Sequence, residues 1–348
     1  MKSEAGKVAI IGTTNWGTTL GIMLSRKGMR VRLWARTEAE AEILNREREN
    51  ARRLPGFTFP EGLQATGSLE EALYGASLVI FAVPSQDMRH NVRQVGEHLD
   101  SSMPVLSAAK GLELDSAKRM SQVIPEEIDS RFHHNICVLS GPNLSGEIAR
   151  GLPATTVVAG HDAGVATRVQ KMVASPLFRV YVNTDVIGVE LGGVLKNIIA
   201  LAAGMVDGLG YGDNTKAGLI TRGLAEITRL GVAAGAAPLT FAGLAGLGDL
   251  VATCSSPLSR NRFVGQELAR GRPLKEITAS MAGIAEGITT TVAALKLAGE
   301  LGVEMPIAEQ VYRVLYEGLD VRQGIAELMG RELKHEFADL QGSAIERT

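Results

Sequence analysis

An α/β unit followed by an all-helical unit is the fold class the sequence predicts, and three observations carry it. Short runs rich in Val, Ile and Leu alternate with helical stretches through the first half of the chain, and each run is closed by Gly, Pro, Ser or Asn. After Asn183 recognisable β runs cease, and helices punctuated by glycine-rich turns take over. In chain order the runs are KVAIIG, RVRLWA, SLVIFAV, PVLSAA, NICVLS, ATTVVA and FRVYVN. Such alternation predicts crossover units and a largely parallel, doubly wound sheet of the Rossmann type, its strands buried on both faces. Beyond it, DVIGVELGGVLKNIIALAAGMVDGL reads as one long helix starting at Asp185, and TKAGLITRGLAEITRLGVAAG as a second. The boundary falls between residues 184 and 185, giving units of residues 1–184 and 185–348 joined directly by the long helix.

The bulk numbers narrow the function classes. A chain of 348 residues that is 45% hydrophobic can bury two ordinary cores. A formal net charge of -2 offers no basic field to a nucleic-acid backbone, so no nucleic-acid partner is expected. Cys137 and Cys254 stand far apart without metal-ligand spacing, which argues for a reducing, cytoplasmic compartment and against a disulfide or metal site. The start, MKSEAGKVAIIG, lacks a signal-peptide core, and no uninterrupted apolar stretch of membrane length follows it. No membrane insertion is expected.

Directly after the first run stands Gly12-Thr13-Thr14-Asn15-Trp16-Gly17, followed by a helical stretch. A dinucleotide site needs a tight turn at Gly12, backbone N–H groups aimed at the pyrophosphate, and close helix-to-strand packing at Gly17. Thr14 replaces the middle glycine of G-x-G-x-x-G and sets a Cβ where backbone approaches phosphate. An ordinary glycine turn is the plainer alternative. At the end of the second run, where an acidic residue would accept from the ribose of NAD, stands Arg36. An arginine there pairs with the 2′-phosphate of NADP, which makes NADP(H) the preferred cofactor and NAD(H) a possible one. Arg32 and Glu38 are less well placed, and a solvated Arg36 indifferent to either cofactor is the competing reading.

Lys196 is the candidate for chemistry. On a helix its neighbours Gly192, Gly193, Ala200, Ala203 and Gly204 make a face of small side chains, with Asp207 one turn further. That face admits either a second helix, with Lys196 snorkelling outward, or a substrate in a cleft. Partial burial lowers a lysine pKa and suits it to acid-base work near neutral pH. Three further segments join polar groups to tight turns: SAAKGLE around Lys110, LSGPNLSGEIA around Gly141 and Asn143, and GLGDLVATCSSPLSRN with Asp249, Ser259, Arg260 and Asn261. Ser-Arg-Asn makes a plausible anion site, and GIAEGITTT sets Glu286 between turn residues. Each segment also has an ordinary surface or turn explanation.

Taken together, the order and wording of these segments closely resemble bacterial NAD(P)-dependent glycerol-3-phosphate dehydrogenase, nearly end to end. IIGTTNWGTTL, AKGLE, LSGPN, IGVELGGVLKNIIALAAGMVDGLG, LITRGLAEITRLG, FAGLAGLGDLVATC, SRN, AEG and GVEMPI carry the resemblance. It implies a 6-phosphogluconate-dehydrogenase-like fold, with a dinucleotide-binding unit over 1–184 and a helical substrate-binding unit over 185–348. It implies Lys196 as the general acid-base group, assisted by Lys110 and Asp249. Lys110, Gly141, Asn143, Lys196, Asp249, Ser259, Arg260 and Asn261 would surround glycerol 3-phosphate or dihydroxyacetone phosphate. Cofactor contacts would come from Asn15, Trp16, Arg36, Lys110, Ser145, Arg260, Ile284 and Glu286, besides Gly12 and Gly17. It further implies a homodimer and a role in phospholipid synthesis, and it leaves Arg222 and Glu226, one helical turn apart, as a structural ion pair. Two positions depart from the family pattern: Thr14 stands for a glycine, and Asn143 for a hydroxyl residue. A different hydroxy-acid dehydrogenase is the nearest rival, against which SRN and LGGVLKN argue. A sensor of the NADP/NADPH ratio is a second, and it would not need Lys110, Lys196 and Asp249.

Overall fold

The computed structural model describes residues 6–336 apart from 101, 282 and 334; the outer ends of both units, residues 1–5 and 337–348, lie outside the described residues. Ten strands occur among these: β1 (Lys7–Ile11), β2 (Arg30–Trp34), β3 (Glu49–Asn50), β4 (Leu54–Thr58), β5 (Leu63–Thr66), β6 (Ala76–Phe81), β7 (Val105–Ser107), β8 (Ile136–Ser140), β9 (Ala154–Gly160) and β10 (Phe178–Asn183). Eight of them form one sheet in the order β10, β9, β8, β7, β6, β1, β2, β5. Every neighbouring pair is parallel except β8 with β9. All seven expected runs are strands of this sheet. β5 and the separate antiparallel pair β3–β4 went unanticipated.

The apolar runs are continuous because both faces of the sheet are covered. Val8, Ile10, Leu33 and Ile80 point into one buried cluster with Leu20 and Leu24, whereas Ile11, Val79 and Phe81 point into another with Val92 and Val123. Strand order reverses at β1, with β2 on one side and β6 on the other. A crevice therefore opens at their carboxyl ends, beside Gly12 and Ala82, where a doubly wound sheet binds its ligand.

Among the described residues, everything after β10 is helix, turn or loop. The long helix runs Val186–Leu209, its N-cap Asp185 accepting from Gly188 N–H at 2.9 Å, and it stops at Gly210 with φ of 71°. A second long helix, Gly212–Ala233, packs along it. By length and mean hydropathy Val186–Leu209 could cross a bilayer, as could the segment Pro238–Ser255, despite the polar residues they contain. Neighbouring elements cover the former, whose most apolar window is 94% buried.

The small-residue face of this helix meets protein on both sides of Lys196. A Cβ added at Gly204 would lie 1.9 Å from the carbonyl oxygen of Arg262, and one added at Gly265 would lie 1.9 Å from that of Leu201. Helices Val186–Leu209 and Arg260–Ala269 thus cross with their backbones in contact, which any larger side chain would prevent. The expected Arg222–Glu226 pair is replaced by other bonds. Arg222 donates to the carbonyl of Glu336, while the buried Glu226 carboxylate accepts the N–H groups of Ile307 and Ala308 at 2.9 and 3.0 Å. Burial raises the Glu226 carboxyl to about 7, against the pull of those N–H groups. An acidic side chain serves well there because the first N–H groups of helix Pro306–Tyr316 have no acceptor of their own.

Candidate active site

At the carboxyl end of β1 the chain turns through Gly12, with φ of 109°, into helix Asn15–Arg26. A Cβ at Gly17 would lie 2.2 Å from the Gly12 carbonyl oxygen, so the helix start presses on the turn as the motif requires. Thr14 has a task the motif does not suggest. It is the N-cap: its hydroxyl accepts from Gly17 N–H at 3.0 Å and donates to the Ala82 carbonyl at 2.5 Å, tying the helix start to the end of β6. Thr14→Gly is expected to cost only a few tenths of a kcal/mol in stability, whereas Thr14→Ala costs about 1 kcal/mol. The glycine also frees Gly17 N–H for a phosphate, so NADPH affinity should hold or tighten in a fluorescence titration; a large loss would contradict this account of the loop.

The same loop holds an unpaired acceptor and an unpaired donor. Asn15 donates to the Arg53 carbonyl at 2.9 Å, but its Oδ1, like Trp16 Nε1, is buried without a partner in the protein. Beside a helix N-terminus, such atoms fit the hydroxyls and phosphates of a dinucleotide. Arg36, two residues after β2, has a side chain 80% exposed and pairs with Asp87 at 3.8 Å. Its two rivals are occupied: Arg32 pairs with Glu71 at 3.3 Å, and Glu38 accepts from Gly67 N–H at 3.0 Å.

The chemistry gathers around one buried carboxylate. Lys196 is 6% exposed on the long helix, and Asp249, at the start of helix Asp249–Ser255, is 2% exposed. Asp249 Oδ1 accepts from Lys196 at 2.8 Å and Oδ2 from Lys110 at 2.6 Å. Lys196 therefore does not snorkel; it turns inward to a counter-ion. Lys110 also donates to the Gly141 carbonyl at 2.8 Å. That carbonyl lies in a turn where Gly141 has φ of 152° and a Cβ would come 2.9 Å from Thr156 Cα. Burial drives Lys110 down to about 8; Asp249 raises it and Lys196 lowers it further.

Two members of the cluster were missed by residue type alone. Thr253, one turn after Asp249, accepts from Lys196, and a polar residue at i+4 from the acid was the available signal. Asn197 donates to the Lys110 carbonyl at 3.5 Å and accepts from Asn261 at 2.9 Å; it stands beside Lys196 in LGGVLKN.

Other expected ligands are held by protein. Asn143 is turned onto β9, donating to the Thr155 carbonyl at 3.3 Å and accepting from Thr156 at 2.9 Å. Ser259 caps helix Arg260–Ala269, accepting from Arg262 N–H at 3.2 Å. Asn261 spans Asn197 and the Gly287 N–H, at 2.9 and 3.0 Å. Of Ser-Arg-Asn, only Arg260 is exposed as a residue; its guanidinium packs against Gly283, where a Cβ would come 2.3 Å from Nη1, and burial lowers its pKa while Glu286 opposes that. Glu286 accepts from the Ser85 hydroxyl at 2.9 Å, and burial raises its carboxyl while Arg260 opposes that rise. Ile284, close by in sequence, is 51% exposed. Ser145 opens the short helix Ser145–Ala149 after the Gly141 turn. Asp207 belongs to a separate ion cluster with Lys216 and Arg262.

This geometry pairs a nucleotide-binding crevice with two ammonium groups on a shared, buried carboxylate. Such a pair can donate a proton and stabilise negative charge on an adjacent oxygen.

Known proteins carry the same plan. The family model described as the NAD-dependent glycerol-3-phosphate dehydrogenase N-terminus matches residues 7–166, and its C-terminus counterpart matches residues 185–326. A glycerol-3-phosphate dehydrogenase [NAD(P)+] of Dehalococcoides mccartyi is 56% identical over 95% of this chain and 93% of its own. One from a Geobacter species is 49% identical over 95% and 99%. The crystal structure of glycerol-3-phosphate dehydrogenase from Coxiella burnetii superposes with a TM-score of 0.89 at 37% identity, covering 94% of this chain and 99% of that one. A ketopantoate reductase from Ralstonia eutropha, at 17% identity and a TM-score of 0.56, shares the fold alone. With both halves matched in order, the chain belongs to the NAD-dependent glycerol-3-phosphate dehydrogenase family.

Proposed function

We propose that this chain is an NAD(P)-dependent glycerol-3-phosphate dehydrogenase interconverting dihydroxyacetone phosphate and sn-glycerol 3-phosphate. The observation that carries it is the Lys110–Asp249–Lys196 cluster at the mouth of a dinucleotide crevice. Residues up to 184 would hold the cofactor, through Gly12, Asn15, Trp16, Gly17, Arg36 and Ser145, with Arg260, Ile284 and Glu286 reaching it from the helical unit. When bound, the nicotinamide supplies the hydride to the ketone carbon. Lys196 donates a proton to the developing alkoxide, and its charge stabilises that oxygen beforehand. Lys110 orients the carbonyl and adds positive potential. Asp249 keeps both ammonium groups aimed at one point, and Arg260 takes the phosphate, which positions the reacting carbon. Asn143, Ser259 and Asn261, with side chains bonded to protein, would shape this site through the backbone they hold.

An exposed Arg36, paired with Asp87 at 3.8 Å, favours NADPH over NADH. The family also suggests a cytoplasmic homodimer that feeds glycerophospholipid synthesis. The test is loss of nicotinamide absorbance with dihydroxyacetone phosphate, run in parallel with NADPH and NADH. Oxidation with NADPH preferred is expected, and folded protein inactive with both would refute the proposal. Arg36→Asp should move the NADPH/NADH preference at least about tenfold towards NADH, the size of one charge-assisted hydrogen bond. An unchanged ratio would remove Arg36 from cofactor choice.

A further inference from the structure

Lys110 and Lys196 share one carboxylate, yet they come from opposite units of the chain. Lys110 opens a segment that leaves β7 and folds into a tight hairpin. Leu112 bridges Arg119, Glu113 N–H donates to the Lys118 carbonyl at 2.9 Å, and Ala117 takes a φ of 56° at the turn. The stem next to Lys110 is clamped from its own unit. Gln86 donates to the Leu112 carbonyl at 2.7 Å and accepts from Leu114 N–H at 2.9 Å, while Arg89 grips Glu113 with two bonds of 2.7 and 2.9 Å.

The far stem is held from the other unit, by Glu190. This buried carboxylate lies on the long helix, about 9 Å along the axis before Lys196. It accepts from Arg119 Nη1 at 2.8 Å, from Ser121 N–H at 2.9 Å and from the Ser121 hydroxyl. Glu190 and Arg119 have side chains only 6% and 13% exposed. The two bonds from Ser121 hold the start of helix Met120–Glu127, in which Ser121 is the second residue and its N–H has no acceptor within the helix. The buried charge pair with Arg119 is not what that cap requires, since a neutral acceptor would serve it without a buried ion pair. What three directed hydrogen bonds add is a link of fixed length between the hairpin that begins at Lys110 and the helix that bears Lys196.

We propose that Glu190 is a positioning residue, fastening the Leu112–Arg119 hairpin and the start of the helix that follows it to the catalytic helix so that Lys110 and Lys196 meet on Asp249. This rests on the reading that both lysines act on the substrate. Glu190→Gln keeps the length and an acceptor for Ser121 N–H but loses the charge; Glu190→Ala removes this link, while Lys296 still donates to the Asp115 carbonyl at the hairpin turn. Arg119→Met and Ser121→Ala cut it from the hairpin side and decide the matter if Glu190→Ala does not fold. Three readouts are taken: kcat with dihydroxyacetone phosphate, the NADPH dissociation constant, and amide exchange across residues 112–121.

Cutting the link should lower kcat about 100-fold, as expected for a misplacement near 1 Å. Glu190→Gln should recover most of that loss, NADPH affinity should change less than about twofold, and exchange in the hairpin should rise. Wild-type kcat in folded Glu190→Ala would overturn the proposal. Unchanged exchange in residues 112–121, or kcat lost together with NADPH binding, would overturn it as well. If the wild-type protein itself does not reduce dihydroxyacetone phosphate, the functional reading falls, and amide exchange still judges whether Glu190 holds the hairpin.

Discussion

Lys196→Ala is expected to lower turnover of dihydroxyacetone phosphate by between about 10² and 10⁴-fold, the range a positioned general acid supplies. The variant removes the proton donor and leaves Asp249 paired with Lys110 alone. NADPH binding should be nearly unchanged, because Lys196 is not among the residues proposed to hold the cofactor, so the loss should appear in kcat. Lys110 is the rival for the role: burial sets it at about 8, within reach of neutral pH. Lys110→Ala separates the two. If Lys110 orients substrate, its loss should raise KM for dihydroxyacetone phosphate and lower kcat less than Lys196→Ala does. A small primary amine added to the buffer should restore part of the activity to Lys196→Ala. Near-normal turnover in Lys196→Ala with none in Lys110→Ala would transfer proton donation to Lys110.

How far the sequence reaches is set by which forces are local. Seven strands were legible because a strand buried on both faces is apolar throughout, and the long helix was legible down to its Asp185 cap. β5 escaped because LQAT, at the sheet edge, exposes Gln64 and so lacks a continuous apolar run. The pair β3–β4 escaped because a strand of two residues has no period. In the site, the residue types of Lys110, Lys196 and Asp249 were informative, since buried charges must find partners. Asn143, Ser259 and Asn261 were the opposite case. An amide or hydroxyl next to a helix start bonds whatever backbone the fold presents, and that partner is fixed by tertiary structure. Thr14 belongs with them: read alone it spoils a phosphate loop, and in place it caps the helix.

Asp249→Asn is the second large effect, because it keeps the shape and removes the one charge between two ammonium groups. With no counter-ion, Lys110 and Lys196 repel each other in a site where the carboxylate is 2% exposed. Leaving buried charge unpaired costs about 3–5 kcal/mol. Asp249 raises Lys110 while burial and Lys196 lower it, so its removal should carry Lys110 below about 8. The alkaline limb of the kcat/KM profile should then move to lower pH. Stability follows the same titration. Lys110 is depressed in the folded protein from 10.5 to about 8, so within that window the unfolded chain binds more protons and stability rises with pH. In Asp249→Asn the rise should begin at lower pH, so its melting temperature, far below wild type near pH 6, should close part of the gap by pH 8. A parallel pair of stability curves, with an unmoved alkaline limb, would mean that Asp249 holds the two lysines by packing and not by charge.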